Sequence, residues 1–136
     1  MKSGVHPSIH AIEPTAWDAM NPTRYPGLLH GFLSALEDSN SVGVGTGWQP
    51  VYVTCHDDQG LAGGMVCYIK HDSYGEYVFD WAWADAYNRH GMQYYPKVIT
   101  AVPFTPATGP RLLIRPDADA TVIADALMTC ARQELA

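Results

Sequence analysis

Basic residues are scarce in this chain. Lys and Arg number 8 against 14 Asp and Glu, the formal net charge is −6, and no Lys/Arg cluster occurs anywhere. Non-specific binding to DNA or to an anionic membrane therefore lacks its electrostatic driver. No apolar run approaches the ~18 residues of a membrane span. The N-terminus offers one Lys and no apolar core of a secretory signal, so the expected compartment is the cytoplasm. Cysteine is also sparse. Cys55, Cys67 and Cys130 are odd in number, sit in apolar surroundings and form no Cys-x-x-Cys spacing. They read as reduced, buried small hydrophobes. The six histidines are scattered, so no metal site is expected, and no Gly-x-Ser-x-Gly nucleophile motif is present.

What remains is apolar and aromatic. A hydrophobic share of 47% with 16% charged residues belongs to a folded chain, and 136 residues are enough for one core. Residues 1–10 show no periodicity and are expected to fray. Thr15 is expected to cap a short turn holding Trp17 and Met20, ended by Pro22. After Pro26, Leu28, Leu29, Phe32, Leu33 and Leu36 recur at helical spacing. The loop that follows contains Gly43, Gly45 and Gly47, but it follows a helix and runs into Trp48-Gln49-Pro50. A phosphate-binding glycine loop should follow a strand and open a helix, so this one reads as a connector.

Residues 51–55 and 61–69 read as a hairpin around His-Asp-Asp-Gln-Gly, and Gly63-Gly64 in its second strand signal a bulge or a close backbone approach. The densest stretch is residues 73–111, centred on YGEYVFDWAWADAY. A core-filling element would more cheaply use Leu, Ile and Val, whereas here carboxylates interrupt the aromatics. Residues 77–79 read as extended. Asp80 stands at an N-cap position and Gly91 at a left-handed C-terminal position, which predicts a helix over 81–90. One of its faces would carry Trp81, Ala84, Asp85 and Asn88, the other Trp83, Tyr87 and His90. Trp83 and Tyr87 fit either core anchors or a pocket lining. Residues 97–104 are the best candidate for a central strand, with Pro103 and Pro106 forcing its end to splay, and 111–115 form a short strand. Asp117 or Asp119 caps a last helix with the stripe Val122, Ile123, Ala126, Leu127 and Cys130. The fold class is α/β (α+β), with a mostly antiparallel sheet flanked by helices.

At the residue level, NPTRYPGLLHGFLSALEDSNSVGVGTGW and HDSYGEYVFDWAWADAYNRHGMQYYPKVITAVPFTPATGPRLL resemble the N-terminal part of predicted N-acyltransferases. These are related to the FemAB peptidoglycan enzymes and belong to the wider Gcn5-related acyltransferase superfamily. The resemblance runs from about Trp17 onward. It implies a partial acyltransferase-like fold, the first half of a longer two-part protein: either a fragment or truncated paralogue, or a chain completed by a partner or a second copy. It implies transfer of an acyl group to an amine by direct attack in a ternary complex, or a non-catalytic half that recognises substrate or packs on a partner. The implied donors are acyl-coenzyme A or aminoacyl-tRNA, and the implied acceptor is a small-molecule amine.

Such a transfer needs a base, oxyanion donors and a site for the carrier. Glu76, Asp80 and Asp85 are the candidate catalytic residues, with N-capping and surface charge as the alternatives for the last two. Lys97 and Arg111 are cations placed to hold a carboxylate or phosphate, or to form structural ion pairs. Trp81, Trp83, Tyr87, Tyr95, Phe104 and Thr105 complete the candidate substrate-binding set. Where the superfamily has a basic glycine-rich loop, this chain reads IRPDADAT, and Asp117 and Asp119 put negative charge where a pyrophosphate would sit. Binding of coenzyme A by this chain is therefore disfavoured on electrostatics.

Overall fold

A computed structural model of the chain describes residues 1–76 and 80–135. The chain begins with an edge strand, β1 (Lys2–His6), where fraying was expected. Periodicity could not reveal it, because its five residues carry one half-buried Gly and one Val that is 38% exposed. Its order comes from antiparallel pairing with β2 (Gln49–Asp57). Helix α1 (Pro14–Asp18) follows. Its cap is Glu13 in place of Thr15: the Glu13 carboxylate accepts from the Thr15 and Ala16 N–H groups, with Pro14 in the first turn. A 3₁₀ turn at Pro26–Leu28 precedes α2 (His30–Asp38). Of the leucine stripe, Leu28 and Leu33 are buried, whereas Phe32 is 36% exposed.

Strand β2 turns at Asp57–Gly60 into β3 (Gly60–Lys70), as the hairpin signals required. Further on come α3 (Trp81–Arg89), β4 (Lys97–Ile99), β5 (Leu112–Ile114) and α4 (Ala120–Leu135). Gly91 takes the expected left-handed conformation, with φ 72°. Asp119 caps α4 by accepting from the Thr121 and Val122 N–H groups. The extended stretch expected at residues 77–79 lies outside the described residues.

The sheet runs β1-β2-β3-β4, with β5 also paired to β3, and every pairing is antiparallel. The α/β expectation, a mostly antiparallel sheet flanked by helices, therefore holds. The central strand is β3, not residues 97–104. Only Lys97–Ile99 of that stretch joins the sheet, opposite Tyr68–Lys70. The chain then leaves the sheet over residues 100–111 and returns as β5 opposite Gly63–Met65. β4 and β5 thus share one edge of β3, like one strand interrupted by an excursion. The prolines at 103 and 106, which cannot donate to a ladder, fall inside that excursion.

Strand β3 is covered on both faces. On one, Met65 and Cys67 join Val53 and Cys55 against Ile123, Leu127 and Cys130 of α4. On the other, Val66 and Tyr68 join Trp17, Met20, Leu28, Leu33, Trp48 and Tyr52. All three cysteines are free and buried.

Gly63 and Gly64 face opposite layers. A Cβ on Gly63 would lie 2.3 Å from Ile123 Cγ2, and one on Gly64 would lie 2.6 Å from the Trp17 ring. The hairpin also carries an irregularity beside them: Cys55 pairs with Gly63 and His56 with Leu61, which leaves Ala62 as the extra residue. Both readings of the glycine pair, bulge and close approach, therefore apply. Replacing Gly63 or Gly64 by Ala is expected to destabilise the chain by about 1–3 kcal/mol through overpacking. Urea unfolding checks this: the midpoint should fall with the slope unchanged.

Candidate functional site

Lys70 ends β3 and is fully buried. Its Nζ donates to the Tyr74 carbonyl at 2.7 Å and lies 4.0 Å from the centroid of the Trp48 ring. Burial pulls its pKa below the ordinary lysine value, against the opposing pull of Glu76 and Asp72. Lys97 opens β4 directly opposite Lys70 in the register. Lys97 donates to Glu76 Oε1 at 2.8 Å and makes a shorter contact with Asp80. The Asp80 carboxylate also accepts from the hydroxyls of Tyr94, at 2.7 Å, and Tyr95, at 2.5 Å.

Asp80 stands at the N-cap position of α3 but makes no capping hydrogen bond, because its side chain turns to these three donors. Burial would raise its pKa. The bonds from Lys97, Tyr95 and Tyr94 outweigh that and hold it well below the ordinary carboxylate range. Lys97 shifts the opposite way: burial acts to lower it, yet Asp80 and Glu76 raise it above the ordinary value. Tyr94 is pushed up to about 12, first by its bond to Asp80 and then by burial.

Glu76 links this cluster to an open cleft of about 290 Å³ beneath the 100–111 excursion. Its Oε1 is bonded to Lys97, and Lys70 stands 3.8 Å from Oε2. Oε2 is buried and accepts no hydrogen bond among the described residues. Trp48, Thr105, Pro106 and Arg111 also line the cleft. Tyr25 holds the roof by donating to the Thr108 carbonyl at 2.8 Å. The Phe104 N–H donates to the Gly75 carbonyl at 3.0 Å, and the Phe104 ring packs on Trp48 at 5.3 Å. Phe104 adopts φ 65°, a strained conformation for an aromatic residue. Gly75 must lack a side chain here, since its Cβ would meet Trp48 Nε1 at 2.5 Å.

The structure thus brings Glu76, Asp80, Tyr95 and Lys97 together, with Thr105 and Arg111 across the cleft from Glu76. Arg111 donates to the carbonyls of Ala107, Gly109 and Pro110, bracing its own loop. Asp85 lies apart and pairs with Arg89 on the exposed side of α3. Trp81, Trp83 and Tyr87 are 60%, 67% and 38% exposed, so the core-anchor reading of Trp83 and Tyr87 is corrected. Lys70, Trp48 and Tyr94 escaped the sequence reading. For Lys70 the available signal was a lone lysine ending a strand otherwise apolar throughout.

His6 and His10 stand four apart in sequence but separate in space: His6 bonds Thr54 and His10 pairs with Asp38. Among the described residues, no group of three or more His, Cys, Asp or Glu side chains gathers as a metal site. At the start of α4 the Asp119 carboxylate already accepts from the Thr121 and Val122 N–H groups, and Asp117 pairs with Arg115. Among the described residues, no helix is long and apolar enough to cross a membrane.

The chain is a sheet-and-helix domain with a charge-paired cluster beside an open cleft, and sequence similarity places it in a family. A profile of the FemAB-like family, described as peptidoglycan biosynthesis/recognition, matches residues 8–136, so the chain belongs to that family. No curated protein and no solved structure matches the chain.

The pKa shift of Asp80 makes a signed prediction. A carboxylate with a depressed folded-state pKa contributes stability above its unfolded value, about 3.9, and that contribution is lost as pH falls further. Acid unfolding of the native chain should steepen below about pH 4, and Asp80→Asn should flatten the profile there. Lys97→Met removes the cation shared by two part-buried carboxylates and is expected to cost about 1.5–3 kcal/mol at neutral pH, measurable by urea unfolding.

Proposed function

We propose that this chain is the acceptor-binding side of an N-acyltransferase that works on peptidoglycan peptides. The cleft under the excursion takes the ammonium group of such a peptide at Glu76. The observation that carries this reading is the Glu76 Oε2 atom, a buried carboxylate oxygen on the cleft-lining residue that accepts no hydrogen bond. Every other charged candidate is already committed: Asp80 to three donors, Lys97 to two carboxylates, Arg111 to its own loop. A buried carboxylate oxygen without a donor favours an incoming N–H donor.

In the transfer step, the acceptor nitrogen attacks the acyl carbon of a thioester or ester. Glu76 first takes one proton from the bound ammonium, which frees the nitrogen lone pair for attack, and the proton shed as the C–N bond forms passes to the departing carrier. The tetrahedral intermediate then collapses, breaking the bond to the carrier, which departs as thiol or alcohol. Lys97 and Lys70 keep Glu76 fixed and charge-balanced. The acyl donor is presented by a partner chain or a second copy, because the start of α4 is occupied by Asp119 and Asp117. The non-catalytic reading differs only in the last step: the peptide is recognised at Glu76 and no acyl group moves.

Calorimetry with a soluble peptidoglycan stem peptide bearing a free side-chain amine tests the assignment. The peptide should bind saturably, and Glu76→Gln should weaken it by about 10-fold, the worth of a charge-assisted hydrogen bond. The same peptide acetylated on that amine should not compete. Equal binding of the acetylated peptide would sink the role of Glu76. Acetyl-coenzyme A should show no saturable micromolar binding to this chain.

A further inference from the structure

The two sides of the sheet end differently. β1, on one side, carries Lys2 and runs into Pro7, features that blunt an edge against further pairing. β5, on the other, reads Leu112-Leu113-Ile114, with neither charge nor proline. The Arg115 N–H donates to the Ala62 carbonyl at 2.8 Å. By the alternation of an antiparallel ladder, Leu113 also turns its backbone groups toward β3, while Leu112 and Ile114 turn theirs outward. Among the described residues, nothing pairs with that outward edge.

Beside this edge, α4 presents a second stripe. Ile123, Leu127 and Cys130 pack on the sheet. Thr121, Ala124, Asp125, Met128 and Arg132 recur at helical spacing along the flank toward β5, and with Ile114 they border an open concavity of about 490 Å³. Met128 is 40% exposed and lies between Asp125 and Arg132. Among the described residues, neither Asp125 nor Arg132 makes an ion pair or a side-chain hydrogen bond, and both are exposed.

Strand and stripe are each self-complementary under two-fold symmetry. An axis beside Leu113 sets Leu112 of one copy opposite Ile114 of the other, and each facing pair exchanges both of its outward hydrogen bonds. An axis between Met128 and Thr129 sets Asp125 of one helix opposite Arg132 of the other, twice over, with the two Met128 side chains meeting between them. Ile114 borders the same concavity as the stripe, so strand and helix offer themselves on one flank. One position further out, Arg111 would face Arg115, whose charge Asp57 and Asp117 already balance. Pro110 and Pro116 bound the strand, which keeps the pairing short.

We propose that a second copy of this chain docks on the β5–α4 flank through a two-fold contact, joining the two sheets across β5 and setting α4 against α4. An unrelated extended peptide would pair with the strand but has no reason to match Asp125 and Arg132, whereas a second copy answers strand and helix together. The net charge of −6 on each copy opposes association at long range, so the local pairs must carry it. Arg111, which lines the cleft, directly precedes β5. The two clefts of the dimer therefore flank the shared strands.

Sedimentation equilibrium of the full chain tests this, and the mass should rise from one copy to two with concentration. Asp125→Arg and Arg132→Asp should each weaken association by about tenfold, since symmetry turns two attractive pairs into two repulsive ones. The double variant should restore it. The single changes move the net charge in opposite directions, so a loss common to both does not come from overall charge. In dilute protein neither should lower the melting temperature, because both side chains are exposed. Amide hydrogen exchange at Leu112 and Ile114 should slow as protein concentration rises, while Leu113, turned toward β3, should not respond. A mass of one copy at every concentration up to about 1 mM would overturn the proposal. So would a dimer that either single reversal leaves intact, or that the double variant fails to restore. Concentration-dependent protection on α3 instead of β5 would assign the contact to the α3 aromatics, and protection of β5 only on adding an extended apolar peptide would make a peptide the occupant; either result defeats the second-copy assignment. None of these readouts depends on the peptide titration at Glu76.

Discussion

The molecule depends on one strand being buried from both sides. β3 carries the two layers: α4 on one face, Trp17 and its neighbours on the other. Close approach of both is possible because Gly63 and Gly64, adjacent in sequence, point to opposite layers and present no Cβ to either. The same strand then ends in Lys70, which carries the order of the core outward to a charged cluster. An ammonium at the end of a doubly covered strand is expensive to desolvate. The Trp48 ring, the Tyr74 carbonyl and the nearby carboxylates together make the position tenable.

From there the charge pattern propagates by contact. Lys97 sits opposite Lys70 in the register, which places two like charges on neighbouring strands. Glu76 faces both cations and Asp80 takes Lys97, so the four groups balance, and two tyrosine hydroxyls complete Asp80. The cluster both anchors α3, which has no buried residue of its own, and forms one wall of the cleft through Glu76. Residues that hold the fold together therefore also border the cleft. Glu76 differs from the others in retaining a buried oxygen that accepts no hydrogen bond among the described residues.

The elements that could be read from the sequence were those whose periodicity coincides with burial. The β2–β3 hairpin and α4 have apolar patterns that match the faces they bury, and α3 is bounded by Asp80 and Gly91 through local backbone chemistry. β1 was invisible because an edge strand held by pairing alone needs no apolar pattern. The stretch 97–104 has the composition of a strand, yet tertiary context keeps only three of its residues in the sheet and spends the rest on the cleft roof. The aromatics of α3 fitted either core anchors or a pocket lining by sequence, and they are largely exposed. Of the site, Glu76, Asp80 and Lys97 were legible as charges set among aromatics. Lys70 and Tyr94 were not, because the strand register that sets Lys70 opposite Lys97 and the chain path that brings the Tyr94 hydroxyl to Asp80 join positions distant in sequence.

The excursion between β4 and β5 separates the history of the cleft from that of the scaffold. Each end is aligned on β3 by its own ladder, so residues gained or lost between 100 and 111 move no side chain from one sheet face to the other. The roof of the cleft is thus free to drift in length and composition while the core beneath it stays in place. Within a family built on this arrangement, the reach of the pocket can diverge from one member to the next without any change in how the chain folds.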